Sequence, residues 1–142
     1  MEIIDNFALP EEDGVQFWAV GSSFGGTEDQ TKDFIKNSYW RDGWGLNNDD
    51  RNKETLLLVK KGDIIIMKSS STKGTNHKLS FTKVKAIGRI KGKANYYTFL
   101  VKWFDGMTFP KDFDGIWYSK TIEKLRPDEL LQFAKSFVGT AK

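Results

Sequence analysis

Val59-Lys60-Lys61-Gly62-Asp63-Ile64-Ile65-Ile66-Met67-Lys68 carries the strongest strand signal in the chain, a β-branched run released by a Lys-Gly-Asp turn. Upstream of it, residues 52–59 with Leu56, Leu57 and Leu58 read as a helix that feeds the turn. Further upstream, residues 15–20 read as a first strand, bounded by Pro10 and Gly14 before it and by the small-residue loop Gly21-Ser22-Ser23-Phe24-Gly25-Gly26 after it. Thr27 is the expected cap of a helix running to Ser38, with Glu28 and Asp29 in its first turn and Phe34 and Ile35 on its buried side. Downstream, residues 69–78 are polar and basic, longer than an ordinary hairpin connection, and read as a flexible loop. Strands are expected at residues 79–81, 84–90, 97–104 and 115–122, and Pro127 opens a last helix over 128–138. Five or six strands, two early helices and one C-terminal helix predict a small twisted barrel of α+β class rather than a doubly wound parallel sheet.

A chain of 142 residues is long enough for one domain with a true core and short for two, so residues 1–142 are expected to form a single domain. There is no cysteine, which excludes disulfides, thiolate catalysis and cysteine-held zinc, and fits a reducing compartment. The first residues carry acid where a secretory signal carries base, and no apolar run reaches bilayer length, so the expectation is a cytoplasmic protein with no membrane partner. The formal charge is only +3, but lysines gather between Lys60 and Lys102 while acids crowd elsewhere, which favours a polyanionic partner.

Catalytic signatures are missing. There is no phosphate-binding Lys-Ser/Thr loop, no dinucleotide fingerprint and a lone histidine, His77, in the polar loop. Asn47-Asn48-Asp49-Asp50 lacks the glycine and terminal glutamate of a calcium loop. A non-enzyme without metal or cofactor is the expectation.

What the chain does carry is Tyr39-Trp40-Arg41-Asp42-Gly43-Trp44-Gly45, two indoles and a phenol among glycines and charges. Read as a loop, it suits a pocket that grips a flat ring by stacking and reads its edge by hydrogen bonds, and a flipped nucleobase is such a ring. Trp18, Trp103 and Trp117 lie in strand patterns and are expected in the core, and alternation along the strand is expected to point one of Phe17 and Trp18 to the core and the other outward.

The order Phe17-Trp18-Ala19-Val20-Gly21, helix, Tyr39-Trp40-Arg41-Asp42-Gly43-Trp44, residues 59–68, Lys85-Ala86-Ile87-Gly88-Arg89-Ile90 and Val101-Lys102-Trp103 resembles the EVE-like N-terminal domains of McrB-type restriction ATPases. These belong to the PUA-like barrel superfamily, with the EVE and YTH readers of modified bases. The resemblance implies a non-catalytic sensor that binds modified double-stranded DNA and swings a methylated base into an aromatic cage. It also implies a fused AAA+ GTPase motor and a separate McrC-like nuclease as partners. By the same resemblance Trp40 holds the place of the first cage aromatic, and Ser22 and Ser23 the place of hydroxyl residues that line the pocket.

Trp44, Phe24 and the pair Tyr96-Tyr97 are candidates for the other cage walls. A pocket-rim acid, Asp42, Asp49 or Asp50, can accept from an exocyclic amino group, and Asn47 or Asn48 can do the same with both a donor and an acceptor. Asp49 is taken into the candidate pocket with Trp40, Trp44, Ser22, Ser23 and Phe24. Lys68, Ser70, Lys73, Lys78, Lys91 and Lys93 are the candidate contacts to the DNA backbone, each adding salt-dependent, sequence-blind affinity. An RNA-binding module of the same barrel type and a protein-interaction domain with exposed aromatics are the rival readings.

Overall fold

In the computed structural model, residues 14–24, 28–105 and 110–140 are described. The chain is mixed α+β, and its centre is a seven-stranded sheet. Strands β1 (Phe17–Gly21) and β5 (Ile64–Lys73) pair in parallel at its heart, Phe17 opposite Ile64 and Gly21 opposite Lys68. Around them lie β4 (Tyr39–Arg41), β6 (Leu79–Asn95), β7 (Thr98–Trp103), β8 (Lys111–Asp114) and β9 (Ile122–Lys124). The order is β4-β7-β6-β5-β1-β9, with β8 on β6. A separate small ribbon joins β2 (Ser23–Phe24) to β3 (Glu28–Asp29). The sheet is open, with β4 and β9 at the two ends of its path. The helices are α1 (Thr31–Lys36), α2 (Gly43–Leu46), α3 (Lys53–Leu58) and α4 (Glu129–Thr140).

The unbroken apolar run of β5 is explained by burial on both faces. Ile64 and Ile66 enter one core with Phe17, Ala19, Tyr118 and the Leu130, Ala134 and Val138 stripe of α4. Ile65 and Met67 enter a second core with Trp18, Val20, Phe34, Trp40, Leu56 and Phe99. All four side chains of the run are fully buried, and each contributes about 1.5–3 kcal/mol relative to exposure. The expectation that Phe17 and Trp18 divide between core and solvent is therefore corrected: they point to opposite faces, and both faces are covered. Asp63 fastens the turn before β5, accepting from Trp18 Nε1 at 2.9 Å, Gln16 N at 3.1 Å and Lys60 N at 3.0 Å.

Four local expectations change. The supposed flexible loop is a β-ribbon, since β5 runs on to Lys73 and returns as β6 from Leu79 through a tight turn containing a 3-10 segment, Thr75–His77. Gly74, Asn76 and His77 take positive φ in that turn, which is what the polar composition encodes. The two strands expected at 79–81 and 84–90 are one, β6, with register shifts facing Met67/Lys68 in β5 and further shifts at Ile90/Gly92 and Lys93/Asn95 that bend it without ending it. The expected strand 115–122 is mostly an irregular crossing between β8 and β9, leaving Trp117 42% exposed instead of in the core. The helix expected from Thr27 begins at Thr31, because Glu28 and Asp29 pair with Phe24 and Ser23; Gly25, Gly26 and Thr27 lie outside the described residues, as do residues 1–13. No helix among the described residues is long and apolar enough to cross a membrane.

Candidate functional site

The stretch Tyr39–Gly45 is regular structure, and its regularity separates its two indoles. Trp40 sits in β4 opposite Phe99, with the rings 5.4 Å apart. It is 1% exposed, and its Nε1 donates to Gly21 O at 2.8 Å. Trp40 thus belongs to the core, braced against the end of β1, and offers no open face for stacking, which corrects its expected place as the cage platform.

Trp44 is turned outward by α2. Asp42, fully buried, caps that single turn by accepting from Trp44 N at 3.3 Å and Gly45 N at 3.2 Å. Its own N–H donates to Tyr97 O at 2.9 Å, and Asn52 Nδ2 donates to it at 3.3 Å. Burial pushes the Asp42 carboxyl up from the usual range, against the pull of these donors. Gly45 is required because a Cβ there would lie 2.5 Å from Tyr97 Cβ. The α2 turn can therefore seat tightly on Tyr97, and Trp44 remains 37% exposed at its outer edge.

Beside Trp44 opens a cavity of about 360 Å³, lined by Gly21, Ser22, Ser23, Phe24, Gly43, Trp44, Asn47, Lys68, Ser69, Ser119, Lys120 and Thr121. Four of the six expected pocket residues meet here: Ser22, Ser23, Phe24 and Trp44. Phe24 comes from β2 and lies against Gly43, where a Cβ would stand 2.8 Å from its ring; its other side meets Phe34 edge-on at 5.8 Å. Buried Ser22 accepts from Lys85 Nζ at 2.9 Å, and Lys85 also reaches Asp29 at 3.4 Å. Asp29 is held below the usual carboxylate range, chiefly by its hydrogen bonds to Thr31 and also by Lys85, against the opposing effect of burial.

Asp49 is not in the lining. It pairs with Arg51 at 3.0 Å, and the Arg51 guanidinium lies 3.5 Å from the Trp44 ring centroid. Tyr96 and Tyr97 are also outside, Tyr96 donating to Asp50 at 2.8 Å and Tyr97 supporting Gly45. Asn47 is in the lining, with its Nδ2 donating to Gly43 O at 3.0 Å.

The expected backbone contacts scatter. Lys68 is 4% exposed and donates to Tyr118 O at 2.6 Å and Lys120 O at 2.8 Å, so it is a cavity-wall residue instead of a surface clamp. Ser70 is tied to Thr82 Oγ1 and Tyr118 O inside the ribbon. Lys73 is paired with Asp114 at 2.9 Å and Asp112 at 3.7 Å. Lys93 donates to Leu56 O at 3.0 Å near the end of α3 and lies over the Phe99 ring; burial lowers its pKa. Lys78 at the ribbon turn and Lys91 on β6 stay exposed.

A second, larger cleft of about 770 Å³ is lined in part by Trp18, Arg51, Asn52, Lys60, Lys120, Glu123 and Lys124. Lys120 borders both cavities. Lys60, Lys120 and Lys124 were missed as a group because Lys60 is sixty residues or more from the other two and meets them only when β9 pairs with β1. Ser119, Lys120 and Thr121 were missed because the segment before β9 reads as strand. Among the described residues no three His, Asp or Glu side chains gather into a metal-holding group.

Chemically, the smaller cavity offers an aromatic wall on Trp44 and Phe24, hydroxyls and an amide for hydrogen bonding, and two lysines with no carboxylate in the lining. No protein-family model matches the chain, and no curated protein matches it in sequence.

Proposed function

We propose that the chain is a non-catalytic nucleic-acid-binding domain that receives one extruded, modified base in the cavity between Phe24 and Trp44. The observation that carries this is the cavity's chemistry: two aromatic walls around small polar residues, at the small end of the roughly 300–1,000 Å³ range of ligand pockets. Trp44 presents an exposed ring whose outer neighbour, Arg51, reinforces it by cation–π contact. The larger cleft, which shares Lys120 with the smaller cavity, supports the same reading, since Arg51, Lys60, Lys120 and Lys124 outnumber Glu123 along it and suit the phosphates flanking an extruded base.

The parent reading is an EVE-like domain of the PUA-like superfamily, a cytoplasmic sensor that directs a McrB-type AAA+ GTPase motor and a McrC-like nuclease to modified double-stranded DNA. The register shifts along β6 are irregularities of the kind that bend a strand, and they are compatible with a barrel-derived architecture. Within it Trp44 takes the stacking role, Phe24 forms the apolar wall packed against Gly43 and Phe34, and Trp40 positions Gly21 at the cavity rim.

The test is fluorescence anisotropy with one duplex in four versions, unmodified, N6-methyladenine, 5-methylcytosine and 5-hydroxymethylcytosine, at two salt concentrations. Preference for a modified duplex that disappears in Trp44→Ala is the expected result. Equal binding to all four overturns base reading, and no binding to any duplex overturns DNA as the partner.

A further inference from the structure

The larger cleft carries more than charge. Asn52, Thr55 and Leu58 bring α3 to its lining, and Ile122, Glu123 and Lys124 bring β9. β9 is the last strand of the sheet path, and its one partner there is β1. In that antiparallel ladder Gly21 N donates to Thr121 O at 2.8 Å and Leu125 N donates to Phe17 O at 2.9 Å. Alternation along the ladder then turns the N–H and C=O of Ile122 and Lys124 away from β1. On that outer side they meet no main-chain or side-chain partner among the described residues. An open edge of this kind is a template for one more strand.

The charge beside the edge is unbalanced. Glu123 is engaged by its neighbours, accepting from Lys120 N at 3.1 Å and from the Arg126 guanidinium at 3.2 Å, and Arg51 is paired with Asp49. The ammonium groups of Lys60, Lys120 and Lys124 form no ion pair among the described residues. With them stands Leu58, which α3 leaves 61% exposed and which the base pocket does not touch.

We propose that this cleft docks an acidic, extended segment of a partner protein, which adds to the sheet as a strand on β9, sets carboxylates against Lys60, Lys120 and Lys124, and lays an aliphatic side chain on Leu58. Phosphates would use the lysines alone. A peptide uses the lysines, the leucine and the strand edge together, its main chain supplying affinity and its alternate side chains selectivity. β9 spans only three residues, so the main-chain bonds are few and the complex leans on the lysines, weakening as salt rises. The inference goes beyond the base pocket and does not rest on it. A duplex whose phosphates reach the cleft competes with the segment for the same lysines.

The experiment uses a capped, fluorescein-labelled peptide, Asp-Thr-Leu-Thr-Asp-Thr-Leu-Thr-Asp, whose acids and leucines share one face when it is extended. Its control carries Asn for every Asp. Anisotropy measures both peptides on the wild type, Lys124→Glu and Leu58→Ser, two exposed positions whose variants are checked for folding by circular dichroism. Amide hydrogen exchange, followed by NMR, is read on the wild type with and without the acidic peptide. The expected result is binding of the acidic peptide alone, weakened about 10-fold or more by Lys124→Glu and several-fold by Leu58→Ser. Exchange of the Ile122 and Lys124 amides slows on binding, which strand pairing requires and charge neutralisation by itself does not. That exchange result decides the question even where a variant does not fold. Absence of binding, or equal binding of the Asn peptide, overturns the proposal. Binding that leaves both amides exchanging as before and ignores Leu58→Ser also overturns it, and makes the cleft a sequence-blind polyanion site. Loss of modified-base preference in the duplex assay changes none of these outcomes, so the two readings fail separately.

Discussion

Replacing each of the two tryptophans of the Tyr39–Gly45 stretch by alanine separates folding from binding. Trp40 is 1% exposed, packs on Phe99, and gives its indole N–H to Gly21 O. Removing a buried aromatic of this kind costs about 3–5 kcal/mol. Leaving Gly21 O without its donor adds about 1 kcal/mol. Against a total stability of about 5–15 kcal/mol, Trp40→Ala is close to unfolding the domain. Trp44 is 37% exposed and its main partner is the Arg51 guanidinium at 3.5 Å, an interaction worth about 0.5–1 kcal/mol at such a site. Trp44→Ala should thus cost about 1 kcal/mol of stability. It should also remove one base–aromatic stack, worth about 1–3 kcal/mol, and weaken binding of the preferred modified duplex about 5- to 150-fold. Urea unfolding measures the first quantity for both variants, and anisotropy at fixed salt measures the second. A Trp44→Ala protein that is folded and binds as the wild type does refutes the stacking wall; a Trp40→Ala protein of undiminished stability refutes the assignment of Trp40 to the core.

Gly43→Ala sets a Cβ 2.8 Å from the Phe24 ring, so it should displace that wall and reduce modified-duplex affinity by more than it lowers the urea midpoint; both are measured on one preparation. Asp63→Ala strands three donors, Trp18 Nε1, Gln16 N and Lys60 N, and should lower stability by about 3–5 kcal/mol in urea titrations while the purified native fraction still binds DNA. Lys68 ionises at about 8 in the fold against 10.5 in the unfolded chain, so between those values the unfolded chain holds more protons and stability rises with pH. The full window amounts to roughly 3 kcal/mol, and most of it should appear between about pH 8 and about pH 10 in denaturant titrations of the wild type and be missing in Lys68→Arg.

The elements legible in the sequence are those whose signal is local. Ile64–Met67 after Gly62-Asp63 could only be a strand, and Leu130, Ala134 and Val138 behind Pro127 mark one face of a helix. The α+β class follows from these alone. Of the residues that line the smaller cavity, Phe24 and Trp44 were candidates because aromatics stand beside glycines where a strand ends or a turn begins, and Ser22 and Ser23 only through the family resemblance. Trp40 misleads for a physical reason: the sequence gives it the same neighbours as Trp44, and only the pairing of β4 with β7 decides that one indole enters the core and the other leaves it. Lys68 is a parallel case. Composition treats it as one more lysine of a basic stretch, whereas burial against the carbonyls of Tyr118 and Lys120, fifty residues on, turns it into a cavity wall with a shifted pKa.

Hydrophobic period and turn chemistry act within a few residues, so the chain by itself determines which segments become strands and helices and that they must bury a common core. Which aromatic stays exposed, which lysine is desolvated, and that Lys60, Lys120 and Lys124 share one cleft depend on contacts between segments distant in sequence. Those contacts exist only once β1 and β5 have paired and β9 has closed against β1, because burial and charge are properties of the assembled surface and not of the residues one at a time.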